Sequence, residues 1–383
     1  MTSQAKSWSA ADLTGMVDRL AELVSCESPS GSLSHLASCA DLLAGWGSAV
    51  LGRPPRRVVM NGSPHLLWPA DEQRVLLLGH YDTVWPAGSL RDWPFTVSGR
   101  IATGPGVCDM KSGIVQLLTA LGSLADTSRV GVLLTCDEET GSVGSRPLIE
   151  AEARRSGAVL VCEPSNPDGA LKVARKGGSA YRLIARGRAA HAGVEPHRGI
   201  NATVEIAHQA LAVQAFADSA AGTSVTPTVL TAGTTSNTVP ETATLSIDVR
   251  AWSGDELERV DRMIRGLSAR LGGARLVVDG GISRYPLASE MALPLFEIAV
   301  AVAADIGVPA PESAYAPGAS DANFTAALGV PTLDGLGGVG GGSHARSEYV
   351  DVSRMPERAA LLAALVERLV AAPHPAHLTT LPA

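Results

Sequence analysis

No stretch of about 18 uncharged apolar residues occurs in the 383-residue sequence, so no membrane-spanning helix is expected. The first residues, MTSQAKSWSAADLTGM, also lack the apolar core of roughly 7 to 15 residues that marks a secretory leader, and a cytoplasmic location is the expectation. Long basic runs are missing too. With a net charge of -7 and a pI near 5.7, nucleic acid and anionic membranes are excluded as main partners, and a small-molecule partner is expected. Cysteine is scarce: Cys26, Cys39, Cys108, Cys136 and Cys162 are odd in number and without CxxC spacing, which reads as reduced thiols. The last three lie one or two positions before acidic residues. Small buried strand-end residues explain them better than thiolate ligands. Repeats are absent, and the one biased tract is the six glycines between Gly335 and Gly342. Lying between a strand and a helix, that tract suits a tight turn or a close backbone approach.

What is present is enough apolar sequence for two cores: 45% hydrophobic residues and a mean hydropathy of +0.15 over a length that favours two domains. Ser9 precedes Leu13, Met16, Val17, Leu20 and Leu23, the spacing of a capped amphipathic helix that stops near Ser28-Pro29-Ser30-Gly31. A second helix is expected over Ser34 to Trp46. Arg57 to Met60 and Val75 to Gly79 read as strands, and Pro86 to Gly106 as one long loop. Helix, strand, helix and strand then follow at Ile114 to Leu124, Val130 to Cys136, Ser145 to Arg155 and Ala158 to Cys162. Strands alternating with helices imply a mainly parallel sheet.

From about Lys172 the order changes to βαββαβ. Strands are expected at Ala180 to Arg186, Ser224 to Ala232, Thr242 to Ala251 and Arg275 to Val278, with helices at Asn201 to Phe216 and Asp255 to Leu271. That order predicts a ferredoxin-like insert. The fold class is therefore α/β. One domain is expected over 1–173 and 283–383, completed by a helix at Leu293 to Asp305, a strand at Pro331 to Asp334 and a helix at Met355 to Val370. An inserted domain is expected over 174–282.

The stretch VLLLGHYDTV at Val75 to Val84 centres the first domain. Four apolar residues closed by Gly79 read as a buried strand that delivers His80 and Asp82 to its carboxyl end, where ligands bind in open α/β sheets. Side chains two apart share a strand face, so Asp82 is placed to orient His80 as a metal ligand. Further strand ends or loops add Asp109 in GPGVCDMKSG, Glu138 and Glu139 in TCDEETGS, Glu163 in VCEPS and His344 in GGSHARSEYV. Histidines with carboxylates are ligands suited to Zn2+, with Co2+ or Mn2+ as alternatives. A pair of metals would need one shared carboxylate.

These motifs, in the order HxD, GPGxxDMK, DEExGS, CEP and GGSHxxxEYVD, resemble the M20 family of zinc peptidases, and within it the glutamate carboxypeptidase branch. The resemblance runs from about Leu76 to Asp351 and implies a zinc catalytic domain with an inserted dimerisation domain. It implies that His80 and Glu163 bind one zinc, Glu139 and His344 the other, and that Asp109 bridges both. It also implies that Asp82 orients His80, that Glu138 is the general base, and that the Asp109-Met110 peptide is cis. Asp137 is left without a role. In the insert, His191 in GRAAHAGVEP, Asn237 in TTSNTVP and Arg250 in SIDVR match family positions, and Arg284 follows at the hinge. The resemblance gives His191 to oxyanion support from a partner subunit, and the Asn and Arg groups to a substrate carboxylate.

The expected activity is hydrolysis of an amide or peptide bond beside a free carboxylate, by a homodimer with two zinc ions per chain. A deacylase of a specialised metabolite is the alternative within that chemistry. A non-catalytic small-molecule-binding protein on the same fold is the alternative of another class, opposed by an intact Glu138 beside five intact ligands.

Overall fold

The computed structural model describes residues 10–372, so the Ser9 cap lies outside the described residues. After α1 (Ala10–Ser25) and α2 (Leu33–Leu51), strands β1 (Arg56–Met60) and β2 (Ser63–Trp68) form a hairpin. It turns on Asn61 and Gly62, with φ of 51° and 83°. Asn-Gly is the pair that tolerates two positive φ values in a two-residue turn. The sequence pattern misses β2 because Ser63, Pro64 and His65 interrupt its apolar run. The chain then forms β3 (Val75–His80), the short hairpin β4 (Thr96–Ser98) and β5 (Ile101–Thr103), α3 (Ser112–Ser123), β6 (Val130–Thr135), α4 (Arg146–Arg154) and β7 (Ala158–Val161). The expected single loop from Pro86 to Gly106 thus contains β4 and β5, which turn on Gly99 at φ 60°.

Next come β8 (Leu171–Arg175), β9 (Gly177–Arg186), β10 (Ala190–His191), α5 (Ala202–Gln214), β11 (Ser224–Ala232), β12 (Thr238–Val239), β13 (Thr242–Ala251), α6 (Gly254–Arg265) and β14 (Arg275–Arg284). The chain ends with α7 (Ser289–Ile306), β15 (Ser313–Ala316), α8 (Ala322–Ala326), β16 (Thr332–Leu333), β17 (Gly340–Gly341), β18 (Tyr349–Asp351) and α9 (Met355–Ala371).

Two compact units result. One comprises the described residues through Ala174, Ser289–Tyr315 and those from Ser320; the other is Arg175–Ala288 with Ala316–Ala319. In the first, six strands run in the order β1-β2-β6-β3-β7-β16. The last four are mutually parallel and β1 and β2 are an antiparallel edge, so the sheet is mainly parallel. Val75–Leu78, Val130–Leu134 and Ala158–Val161 are buried, as central parallel strands must be. Helices α3 and α9 pack on β3, and α8 packs on β7 and β16.

The second unit is an antiparallel sheet ordered β11-β13-β9-β14, the 4-1-3-2 arrangement of a βαββαβ sandwich read from its other edge. Along β13 every second residue is buried, which places Ala243, Leu245, Ile247, Val249 and Ala251 in one core with Ile206 of α5 and Leu257 of α6. Helix α6 stops at Arg265, short of the expected Leu271. The buried Glu205 carboxylate accepts the backbone N–H groups of Arg270 and Leu271, giving that segment a partner other than a helix ladder.

Candidate metal centre

Parallel register aligns the carboxyl ends of β3, β6 and β7: His80 pairs with Thr135, and Leu78 with Val161. The residues that follow are therefore delivered to one rim, Glu138 and Glu139 after β6 and Glu163 after β7. Two glycines set where Glu163 emerges. A Cβ on Gly113 would lie 2.0 Å from the carbonyl oxygen of Cys162, and one on Gly337 would lie 2.2 Å from it. Gly337 also donates its N–H to the Glu163 carbonyl at 2.8 Å. The glycine tract is thus a close backbone approach, and it leads to His344, a non-glycine residue at φ 64°.

Asp109 stands between two groups of donors. His80 Nε2 lies 3.3 Å from Asp109 Oδ1 and 3.4 Å from Glu163 Oε1. His344 Nε2 lies 2.9 Å from Glu139 Oε2 and 3.7 Å from Asp109 Oδ2. Each oxygen of one carboxylate therefore faces a different imidazole. The peptide after Asp109 is cis. Ligand atoms of His80, Glu138 and Glu163 lie within 4.8 Å of one another, as do those of His80, Asp109 and Glu139.

The donors fit a cation. His80 Nε2 and Glu139 Oε1 are buried without a hydrogen-bond partner among the described residues, although buried polar atoms are ordinarily satisfied. Burial opposes a proton on His80, but the Asp109, Asp82 and Glu163 carboxylates outweigh it and hold the imidazole well above its ordinary value. Glu139 lifts His344 to about 9. Burial raises Asp109, but His80, Lys172 and His344 outweigh it and keep the carboxyl below the usual range, whereas burial pushes Glu139 up. Without a metal, protons do the neutralising that a divalent ion would do.

Asp82 has a larger task than its motif suggests. His80 Nδ1 donates to the backbone carbonyl of Asp82 at 3.0 Å and lies 3.4 Å from its carboxylate, so the main chain is the nearer orienting group. The carboxylate itself accepts Glu138 N, Glu139 N and the Ser30 hydroxyl at 3.2, 3.2 and 2.7 Å. It ties the turn that carries Glu138 and Glu139 to the strand that carries His80. Asp137 is part of the same turn: its Oδ2 accepts Gly144 N and Ser145 N, and its carbonyl accepts Thr140 N and Ser142 N. Backbone acceptance of this kind leaves no spacing signal in a sequence.

In the second unit, β10 pairs with β12, placing His191 opposite Thr238, and Ala192 N donates to Asn237 O. His191 Nδ1 accepts N–H groups from Gly193 and Val194, which leaves Nε2 as the protonated, donating nitrogen. Arg250 and Arg284 both register with Gly178 of the strand between them. A Cβ at Gly178 would lie 3.1 Å from the Arg250 guanidinium, so the glycine makes room for it. Asp248 holds Arg250 by a forked contact at 2.9 to 3.2 Å.

Paired histidine and carboxylate groups sharing one acid at the carboxyl ends of a parallel sheet define a site of the metallohydrolase type. The sequence agrees: residues 76–368 match the model of peptidase family M20/M25/M40, and the chain belongs to that family. It is 34% identical over 305 residues to carboxypeptidase G2 of Pseudomonas sp. strain RS-16, covering 77% of this chain and 73% of that protein. It is 30% identical over 387 residues to succinyl-diaminopimelate desuccinylase of Paracoccus denitrificans, covering 90% and 98%. Among solved structures, aminopeptidase PepT of Bacillus cereus superposes with a TM-score of 0.74 at 21% identity, covering 94% of this chain and 99% of that one. The chain is a hydrolase of amide bonds with the M20 fold. No described helix is long and apolar enough to cross a membrane.

Proposed function

We propose that the chain is a dinuclear zinc hydrolase cleaving an amide or peptide bond beside a free carboxylate, as in a peptidyl or N-acyl amino acid. The observation that carries this reading is Asp109, whose two oxygens face His80 and His344 separately. His80 and Glu163 would hold one zinc, Glu139 and His344 the other, and Asp109 both. When bound, the pair of metals would lower the pKa of water toward about 7 and polarise the scissile carbonyl. Glu138 takes the proton of the attacking water and returns it to the leaving nitrogen, from a place beside His80 and Glu163. Asp82 holds Glu138 by its backbone, so the base and His80 keep one relative position.

Residues 174–282 form the dimerisation insert in this reading. His191 donates from Nε2 to the developing oxyanion of a partner subunit's site, and Asn237, Arg250 and Arg284 receive the substrate carboxylate. The likeness to carboxypeptidase G2 supports the free carboxylate, and the likeness to the desuccinylase supports a deacylase as the second reading. Five unpaired cysteines support a reducing, cytoplasmic location.

The test is a screen of N-acyl amino acids and dipeptides, each beside its carboxamide-capped twin, with metal-stripped and zinc-loaded protein. Turnover is expected only with zinc and only beside a free carboxylate. Equal turnover of the capped twins removes the carboxylate requirement, and zinc that saturates at one ion per chain removes the dinuclear site.

A further inference from the structure

Glu348 is fully buried and outside every role assigned above. Its Oε1 accepts Cys108 N at 2.8 Å and Asp109 N at 3.0 Å. Its Oε2 accepts the Trp85 indole N–H at 3.0 Å and Gly106 N at 3.2 Å. Four donors thus fill one carboxylate, about the full acceptor capacity of the ionised group. The reason lies in the chain it holds. Residues 106–109 form an irregular turn in which Asp109 has φ -110° and ψ 94°, so these amides take no part in a helix or sheet ladder. Buried amides without partners would cost about 1–3 kcal/mol each. Glu348 supplies their acceptor.

The other end of Glu348 matters as much. Its N–H donates to Ala345 O, and Ala345 N donates to Gly342 O, so one short turn presents both His344 and Glu348. Trp85, the side-chain donor among the four, follows His80 and Asp82 in the segment that leaves β3. One side chain therefore joins three segments: the His344 turn, the Asp109 turn and the continuation of the His80 strand.

We propose that Glu348 is a positioning residue that fixes the bridging carboxylate of Asp109 against His344 before any metal arrives. The inference rests on the dinuclear reading for what Asp109 bridges, while the anchoring itself belongs to the metal-free chain. Glutamine is not an equivalent. Whichever way its amide is turned, an NH2 group meets either the Cys108 and Asp109 amides or the Gly106 amide and the indole. Outer groups that orient metal ligands typically matter by about 10- to 100-fold in metal affinity.

The test uses the full chain, wild type, Glu348→Gln and Glu348→Asp. Hydrogen exchange on metal-free protein should show the Gly106, Cys108 and Asp109 amides protected in wild type and exposed in both variants, with Val130–Thr135 protected throughout. Chelator competition should then show zinc affinity about 10- to 100-fold weaker in the variants, and kcat should fall more than KM rises. Should Glu348→Gln not fold, Glu348→Asp keeps the charge and shortens the reach, and the wild-type exchange pattern still decides. Unprotected Gly106, Cys108 and Asp109 amides in metal-free wild type overturn the proposal, as does a folded variant with wild-type zinc affinity. Wild-type protein that shows the protection yet binds fewer than two zinc ions leaves the anchoring standing and refutes the dinuclear reading.

Discussion

Replacing Asp82 by Asn tests whether one buried carboxylate couples the turn that carries Glu138 to His80. The side chain is fully buried and keeps nearly the same shape. One of its oxygens accepts Glu138 N, the other Glu139 N and the Ser30 hydroxyl. An amide has one oxygen, so its NH2 must face one of the two backbone N–H groups. Ser30 can turn its hydroxyl; a peptide N–H cannot turn. A buried donor left unpaired costs about 1–3 kcal/mol, which at 1.36 kcal/mol per decade is about 5- to 150-fold. If the turn relaxes to recover that energy, Glu138 and Glu139 move together, and zinc affinity and kcat fall by amounts in that range. Ser30→Ala is the control, because it deletes a donor without orphaning an amide, and it should cost less than about fivefold. Chelator competition and steady-state turnover read the two quantities, with circular dichroism to confirm folding. Asp82→Asn protein that folds, binds both zinc ions and turns over within twofold of wild type refutes the coupling.

Other perturbations test other parts of the site. Glu138→Gln should bind zinc normally and lose about 100- to 10,000-fold in turnover; mixed with inactive His191→Ala chains it should recover about a quarter of wild-type activity if subunits pair at random and His191 acts across the dimer. Gly113→Ala should destabilise the fold by about 3 kcal/mol in denaturant titration and weaken zinc binding, since its methyl meets the Cys162 carbonyl beside Glu163. In metal-free protein the raised value of His344 stabilises the fold fully below about 6.5, and that contribution is lost as pH rises through about 9. The melting temperature of the metal-free chain should fall over that window, and His344→Gln should remove that part of the fall.

The residues proposed as ligands were legible as candidates because metal chemistry would need their types and the parallel sheet places them at strand ends. His80, Asp109, Glu139, Glu163 and His344 are gathered although they come from five separate segments, and the ordered motifs name all of them. What stayed hidden acts through the backbone. Asp137, Glu348 and the Asp82 carboxylate mainly accept main-chain N–H groups, and an acceptor for peptide groups carries no spacing rule of its own. Strand β2 was hidden for a related reason: its pairing with β1 and β6 rather than its own pattern makes it a strand, and the Asn61-Gly62 turn was the available signal. The end of α6 was lost to a tertiary contact, the Glu205 carboxylate, that no local propensity records.

Charge bears on the proposed pair of ions, and it gives a last test. Asp82, Asp109, Glu138, Glu139, Glu163 and Glu348 crowd around two imidazoles, with Lys172 acting on Asp109 and the buried Lys111 on Glu348. With both imidazoles neutral, the carboxylates leave an excess of negative charge of the kind that divalent cations offset. In the metal-free protein the nearby carboxylates hold both His80 and His344 above their ordinary values, so protons neutralise part of that excess. A metal needs the imidazole lone pair, so loading must expel those protons. At pH 7, calorimetric zinc titrations in buffers of different ionisation enthalpy should show roughly two protons leaving a metal-free chain as both sites fill, and about one fewer for His344→Gln. Zinc uptake without proton release would mean that the imidazoles are already neutral, and that the crowded carboxylates are relieved by some other group.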